Sequence, residues 1–108
     1  MANSINIEEL NELLKNKSAV TLLDVRRKSD YEASPQKIKG AVWNNPETID
    51  TWSEYLPGDT LTVAYCVKGG SVSQSIADKL QQKGLKTVFL EGGINAWVEN
   101  GEPVEDIA

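Results

Sequence analysis

Apolar positions along this chain alternate between two periods, and the changes of period mark out strands and helices. Ile7, Leu10, Leu13 and Leu14 fall on one helical face, with Asn6 and Glu9 at capping-box spacing at its start. Glu8, Glu9 and Glu12 come early in that segment and Lys15 and Lys17 late, the order a helix dipole favours. Val20 to Val25 is then a nearly continuous apolar run, the pattern of a strand covered on both faces. Ala41-Val42-Trp43, Leu61 to Tyr65 and Lys86 to Leu90 read as further strands. Asn45-Pro46 opens a helix whose apolar face is Ile49, Trp52 and Leu56, closed by Pro57-Gly58-Asp59. Val72, Ile76, Ala77 and Leu80 predict a helix over 71–83, with Ser71 and Gln74 at capping-box spacing and Gly84 at its end. A last short helix spans 94–100, between the Gly92-Gly93 turn and Gly101.

Strands that alternate with helices predict an α/β fold: a central, mainly parallel sheet of four to five strands with helices on both faces. Residues 26–40 are highly charged and read as a loop with one helical turn around Ser29 to Ala33. The acidic tail, 102–108, reads as loose. No repeat, linker or low-complexity tract divides the chain, so one domain over 1–108, with its core at 5–101, is expected.

Composition narrows the chemistry. The 108 residues hold one cysteine and no histidine, which excludes an internal disulfide, a zinc ribbon, and His-dependent triads or metal sites. No metal or bound cofactor is expected. Net charge −5 without a basic block disfavours nucleic acid and anionic membranes as partners. No apolar stretch reaches membrane-span length, and Met1 is followed by Ala2-Asn3-Ser4 rather than a basic and then apolar leader. A soluble, cytoplasmic chain is the expectation.

The remaining nucleophile stands at an informative place. Ligands of open parallel sheets gather beyond the carboxyl ends of the strands, and Cys66 ends the Leu61–Tyr65 strand there. The short glycine-bearing loop Val67 to Gly70 then opens a helix, so backbone N–H groups and a helix dipole favour a thiolate. Lys68 adds a positive charge. A lone cysteine at a strand end also fits a small buried hydrophobe, and the loop does not decide between the two.

Five blocks in order carry a resemblance: Leu22-Leu23-Asp24-Val25-Arg26, Asp30-Tyr31, Ile38-Lys39-Gly40-Ala41, Tyr65-Cys66-Val67-Lys68-Gly69, and Leu90-Glu91-Gly92-Gly93-Ile94-Asn95-Ala96-Trp97. Together they resemble a single-domain rhodanese, over about Ile5 to Gly101. The resemblance implies sulfurtransferase chemistry: Cys66 takes a sulfane sulfur from thiosulfate, polysulfide or a protein persulfide and holds it as a covalent persulfide. It then passes the sulfur to cyanide or a thiol, which makes small sulfur anions or a persulfide or thiol carrier protein the implied partners. The resemblance assigns the loop amides of Val67, Lys68, Gly69, Gly70, Ser71 and Val72 to the persulfide, and the Lys68 side chain to the anionic donor. Asp24, Arg26 and Asp30 become structural residues beside the site, with Arg26 expected to pair with Asp30 or to form a plain surface ion pair. Tyr31, Trp43 and Tyr65 are core or pocket-wall residues. Whether the chain is a monomer or a homodimer stays open.

The chain departs from the family pattern at two places. Lys37 stands where the family usually has a histidine, and Ser71 where many members carry arginine. Lys68 is then the only cation expected near the thiol, and Ser71 either caps the helix or contacts the ligand. Phosphatases of the same fold clamp phosphate with an arginine, but Val72 occupies that place here. A non-catalytic rhodanese-like module that senses sulfur or binds a protein is the alternative to an enzyme.

Overall fold

The computed structural model describes residues 3–107; Met1, Ala2 and Ala108 lie outside the described residues, as does the reading of the amino-terminal sequence that begins on them. Five strands, β1 (Asn3–Ile5), β2 (Val20–Asp24), β4 (Val42–Trp43), β5 (Leu61–Tyr65) and β6 (Thr87–Leu90), form one sheet in the order β1-β6-β5-β2-β4. Every neighbouring pair is parallel. The central strand, β5, pairs with β2 in register from Leu61 with Val20 to Tyr65 with Asp24.

Because successive side chains on a strand point to opposite faces, the sheet feeds two cores. Leu22, Val63 and Tyr65 pack with Leu10 of α1 (Ile7–Lys15) and with Ile94 and Trp97 of α5 (Gly93–Glu99). Leu23, Val25 and Ala64 pack on the other face with Ile49 of α3 (Ile49–Trp52) and with Ile76 and Leu80 of α4 (Ser71–Gln82). The expected α/β architecture with helices on both faces is therefore present. The Asn6–Glu9 capping box also forms, with reciprocal hydrogen bonds of 2.8 and 3.1 Å.

One strand lies outside the expected elements, and three local expectations are corrected. The segment before Asn6 is a sheet strand, β1, in which only Ile5 is buried. The helix after Asn45 is broken into two 3-10 turns, Pro46–Thr48 and Ser53–Tyr55, around the single turn α3. Ser71 does not cap α4: Gly70 is the cap residue, Ser71 is exposed, and the Gln74 side chain donates to Gly69 O at 3.0 Å. The acidic tail is not loose either. Its residues Val104–Asp106 form β7, antiparallel to β3 (Gln36–Ile38), which follows α2 (Lys28–Ala33). Side-chain bonds help fasten this small ribbon: Trp97 Nε1 donates to Pro103 O at 2.8 Å, and Gly40 N to Glu105 Oε1 at 3.2 Å.

Candidate functional site

Cys66 follows the last residue of β5 and opens the loop into α4, beyond the carboxyl end of the sheet. Its side chain is buried, 5 % exposed, at the base of a pocket of about 250 Å³ lined by Arg26, Arg27, Asp30, Val67, Lys68, Gly70, Ser71 and Val72. The thiol donates to the hydroxyl of Ser73, fully buried on the first turn of α4, at 3.1 Å. Once the sulfur is ionised, the same hydroxyl can turn and donate to it.

The loop amides have the complementary property. Among the described residues, no protein acceptor takes the N–H groups of Val67 to Ser73, and the first α4 amide to find a carbonyl is that of Gln74, to Gly70 O at 3.2 Å. Unpaired amides at the positive end of a twelve-residue helix make a cradle for negative charge. The carbonyls of the same loop are tied away from the pocket: Ile94 N donates to Cys66 O and Asn95 N to Val67 O, each at 3.0 Å. The start of α5 thereby clamps the loop from behind.

That clamp explains two of the glycines. At Gly93, φ is +58°, and a Cβ would lie 2.6 Å from Val67 O and closer still to Cys66 O. At Gly69, φ is +71°, and a Cβ would meet Gly92 N at 2.7 Å and Leu90 O at 2.8 Å. Only residues without a side chain let the two backbones approach this closely.

Behind the pocket lies a buried polar network. Arg26 and Asp24 are 2 % and 0 % exposed, and Arg26 Nη2 reaches Asp24 Oδ2 at 2.6 Å. Arg26 Nε and backbone N also donate to the carboxylate, and Nη2 donates to Gln36 O at 3.1 Å. Tyr65 Oη donates to Asp24 Oδ2 at 3.0 Å and accepts from Ile38 N at 3.2 Å. Burial, reinforced by the Asp24 charge, pushes the Tyr65 phenol far above the usual tyrosine range. Tyr31 stacks on Trp43 with ring centroids 4.8 Å apart, and the guanidinium lies 5.3 Å from the Tyr31 ring centroid.

The expected Arg26–Asp30 pair is thus replaced by a buried Arg26–Asp24 pair, because the Arg26 side chain folds back onto its own strand end instead of reaching α2. Asp30 is exposed and shares the pocket mouth. The structure brings Cys66, Val67, Lys68, Gly70, Ser71 and Val72 together around one pocket, with Gly69 behind the loop. Lys37 is not among the lining residues; it pairs with Glu105 across the β3–β7 ribbon at 3.6 Å.

Two residues of the site went unread in the sequence. Ser73 was hidden among the inward positions of a helix; its position on the first turn, two residues beyond Ser71, was the available signal. Arg27 lines the pocket from the neighbouring strand end, so Lys68 is not the only cation near the thiol. The parallel β2–β5 register, which sets Asp24 beside Tyr65, carries Arg27 to the mouth of the cysteine loop.

The family model for the rhodanese-like domain matches residues 6–100. The chain belongs to the rhodanese-like family. It is 31 % identical over 104 residues to a protein of Allochromatium vinosum named sulfurtransferase, covering 96 % of this chain and 95 % of that one. It is 29 % identical over 101 residues to a putative sulfurtransferase of Bacillus subtilis, covering 92 % and 93 % of the two chains. The crystal structure of a rhodanese-related protein from Thermoplasma volcanium superposes with a TM-score of 0.82 at 31 % identity, covering 95 % of this chain and 97 % of that one. Among the described residues, this rhodanese-like chain has no helix long and apolar enough to cross a membrane.

Proposed function

We propose that this rhodanese-like chain is a sulfurtransferase that carries a sulfane sulfur on Cys66. The observation that supports the reading most strongly is a thiol at the base of an open pocket, beneath a loop whose amides have no protein acceptor. In the first half-reaction the Cys66 thiolate attacks the outer sulfur of thiosulfate, a polysulfide or a protein persulfide. The donor's sulfur–sulfur bond breaks, and sulfite or the shortened donor leaves with the electron pair. The bound persulfide is anionic, and the amides of Val67 to Val72 hold that charge while Lys68 and Arg27 attract the donor. In the second half-reaction cyanide or a thiolate attacks the outer sulfur and the Cys66 thiolate departs. The Ser73 hydroxyl donates to Sγ at that moment. No histidine is required, because a thiolate needs no general base.

An arginine clamp for phosphate is absent at Val72, which is half-buried in the pocket wall, so the site favours sulfur transfer over phosphoryl transfer. The test is steady-state thiocyanate formation from cyanide with thiosulfate or polysulfide as donor. Parallel double-reciprocal lines are expected, the pattern of a covalent two-step route. Loading of Cys66 without any turnover, whatever the acceptor, would instead favour a sulfur-sensing or protein-binding module.

A further inference from the structure

The pocket over Cys66 is flanked on two sides by hollows of opposite charge. Toward α5 runs a groove of about 430 Å³ whose ionisable lining comprises Arg26, Asp30 and Glu99. Arg26 is already neutralised by Asp24, so this side is acidic. Toward α3 and α4 lies a shelf of about 330 Å³ lined by Arg27, Lys79, Ser71, Ser75 and Glu47 among others. Ser71, Ser75 and Lys79 follow one another at four-residue spacing and stand on one face of α4. Arg27, Ser71 and Val72 line both the shelf and the Cys66 pocket, so the two are continuous.

Neither Arg27 nor Lys79 is tied up in an ion pair among the described residues; the pairs that form there are Arg26–Asp24, Lys37–Glu105 and Lys83–Asp50. On a chain of net charge −5, a hollow with two uncommitted cations, one carboxylate and two hydroxyls is a local reversal of sign. Such a place attracts an anionic group and orients it. Because the shelf adjoins the thiol instead of containing it, the anionic group belongs to a part of the substrate away from the reacting sulfur.

Resting on the sulfurtransferase reading, we propose that the sulfur acceptor is a small thiol bearing a carboxylate, which the Arg27–Lys79 shelf binds while its sulfur faces Cys66. The acceptor thiolate attacks the outer sulfur of the Cys66 persulfide. A new sulfur–sulfur bond forms on the acceptor, the old one breaks, and Cys66 leaves as thiolate. The transferred sulfur carries its negative charge to the product, and no external oxidant or reductant takes part.

The test uses full-length protein loaded with polysulfide, desalted, and discharged by 3-mercaptopropionate, 2-mercaptoethanol or cysteamine, which differ in the charge they carry away from sulfur. The readout is the ratio of the mercaptopropionate to the cysteamine discharge rate, compared between proteins so that the intrinsic reactivity of each thiol cancels. Lys79→Glu should lower that ratio about threefold to tenfold at low ionic strength, and Lys79→Gln by less. Added salt should shrink the difference. Lys86→Glu makes the same charge change outside the shelf and should leave the ratio unmoved. Equal ratios in wild type and Lys79→Glu, or an equal fall in Lys86→Glu, would overturn the shelf as an acceptor site. A wild type that takes up no sulfur would overturn the underlying sulfurtransferase reading itself.

Discussion

The buried Arg26–Asp24 pair offers the sharpest test of how this site is supported. Replacing Arg26 by methionine keeps a flexible apolar stem but removes the guanidinium, so Asp24 keeps only Tyr65 Oη and one backbone N–H as donors. Gln36 O loses its Arg26 donor at the same time. Stripping one partner from a fully buried ion pair costs about 3–5 kcal/mol, a large share of the roughly 5–15 kcal/mol that holds a domain of this size folded. The melting temperature should fall by on the order of 15 °C or more. Urea unfolding followed by tryptophan fluorescence measures the loss, and Trp43, whose Nε1 donates to Arg26 O at 2.8 Å, reports from beside the change. Asp24→Asn alone should also be costly, because it leaves the guanidinium without its counter-charge. The double variant Asp24→Asn/Arg26→Met should then be less destabilised than the sum of the two by about 2 kcal/mol. A cost below about 1 kcal/mol for Arg26→Met, or additivity within about 0.5 kcal/mol, would refute the reasoning.

Three other outcomes follow from the geometry. Ser73→Ala removes the hydroxyl 3.1 Å from the thiol and should slow persulfide discharge about tenfold, since hydrogen bonds to charged groups contribute about 1.5–3 kcal/mol; stopped-flow discharge by cyanide checks it, and an unchanged rate denies Ser73 a role in releasing the thiolate. Gly93→Ala forces a Cβ against the Cys66 and Val67 carbonyls at positive φ, so it should destabilise by about 2 kcal/mol or more and slow sulfur uptake; wild-type urea stability would mean that the two backbones do not meet so closely. Tyr65 is protonated in the fold well beyond the pH at which an unfolded tyrosine ionises, so its contribution is complete below about pH 10 and shrinks as pH rises above that value. Ultraviolet titration should show Tyr65 ionising together with alkaline unfolding, and its ionisation in a still folded protein would contradict the buried network.

The sheet was legible because its central strands are long apolar runs: Val20 to Val25 and Leu61 to Tyr65 need cover on both faces, which a parallel arrangement provides. The placement of Cys66 followed from the same pattern, since a strand end, a glycine loop and a helix start come in sequence. What escaped was held together by long-range pairing. Strands β3 and β7 have three residues each, and their partners lie more than sixty residues apart, so no local period announces them. The acidity of Glu105 and Asp106 suggested solvation, while Glu105 in fact meets Lys37 and Gly40 N across the ribbon. The Arg26 pairing was misassigned for a related reason. Position alone suggests the next loop, and only the folded strand end shows the side chain turning back onto Asp24. Ser71 resembles a helix cap by spacing, yet Gly70 takes the cap position and Ser71 is the first helical residue.

Uptake of sulfur by a single side chain is the claim on which the whole account rests. Intact-mass spectrometry of the protein after brief exposure to polysulfide or thiosulfate measures it directly. Wild type should gain the mass of one sulfur atom, lose it again on addition of cyanide, and Cys66→Ala should gain nothing. A wild-type protein that stays at its unmodified mass with every donor, or a Cys66→Ala variant that loads equally, would contradict it.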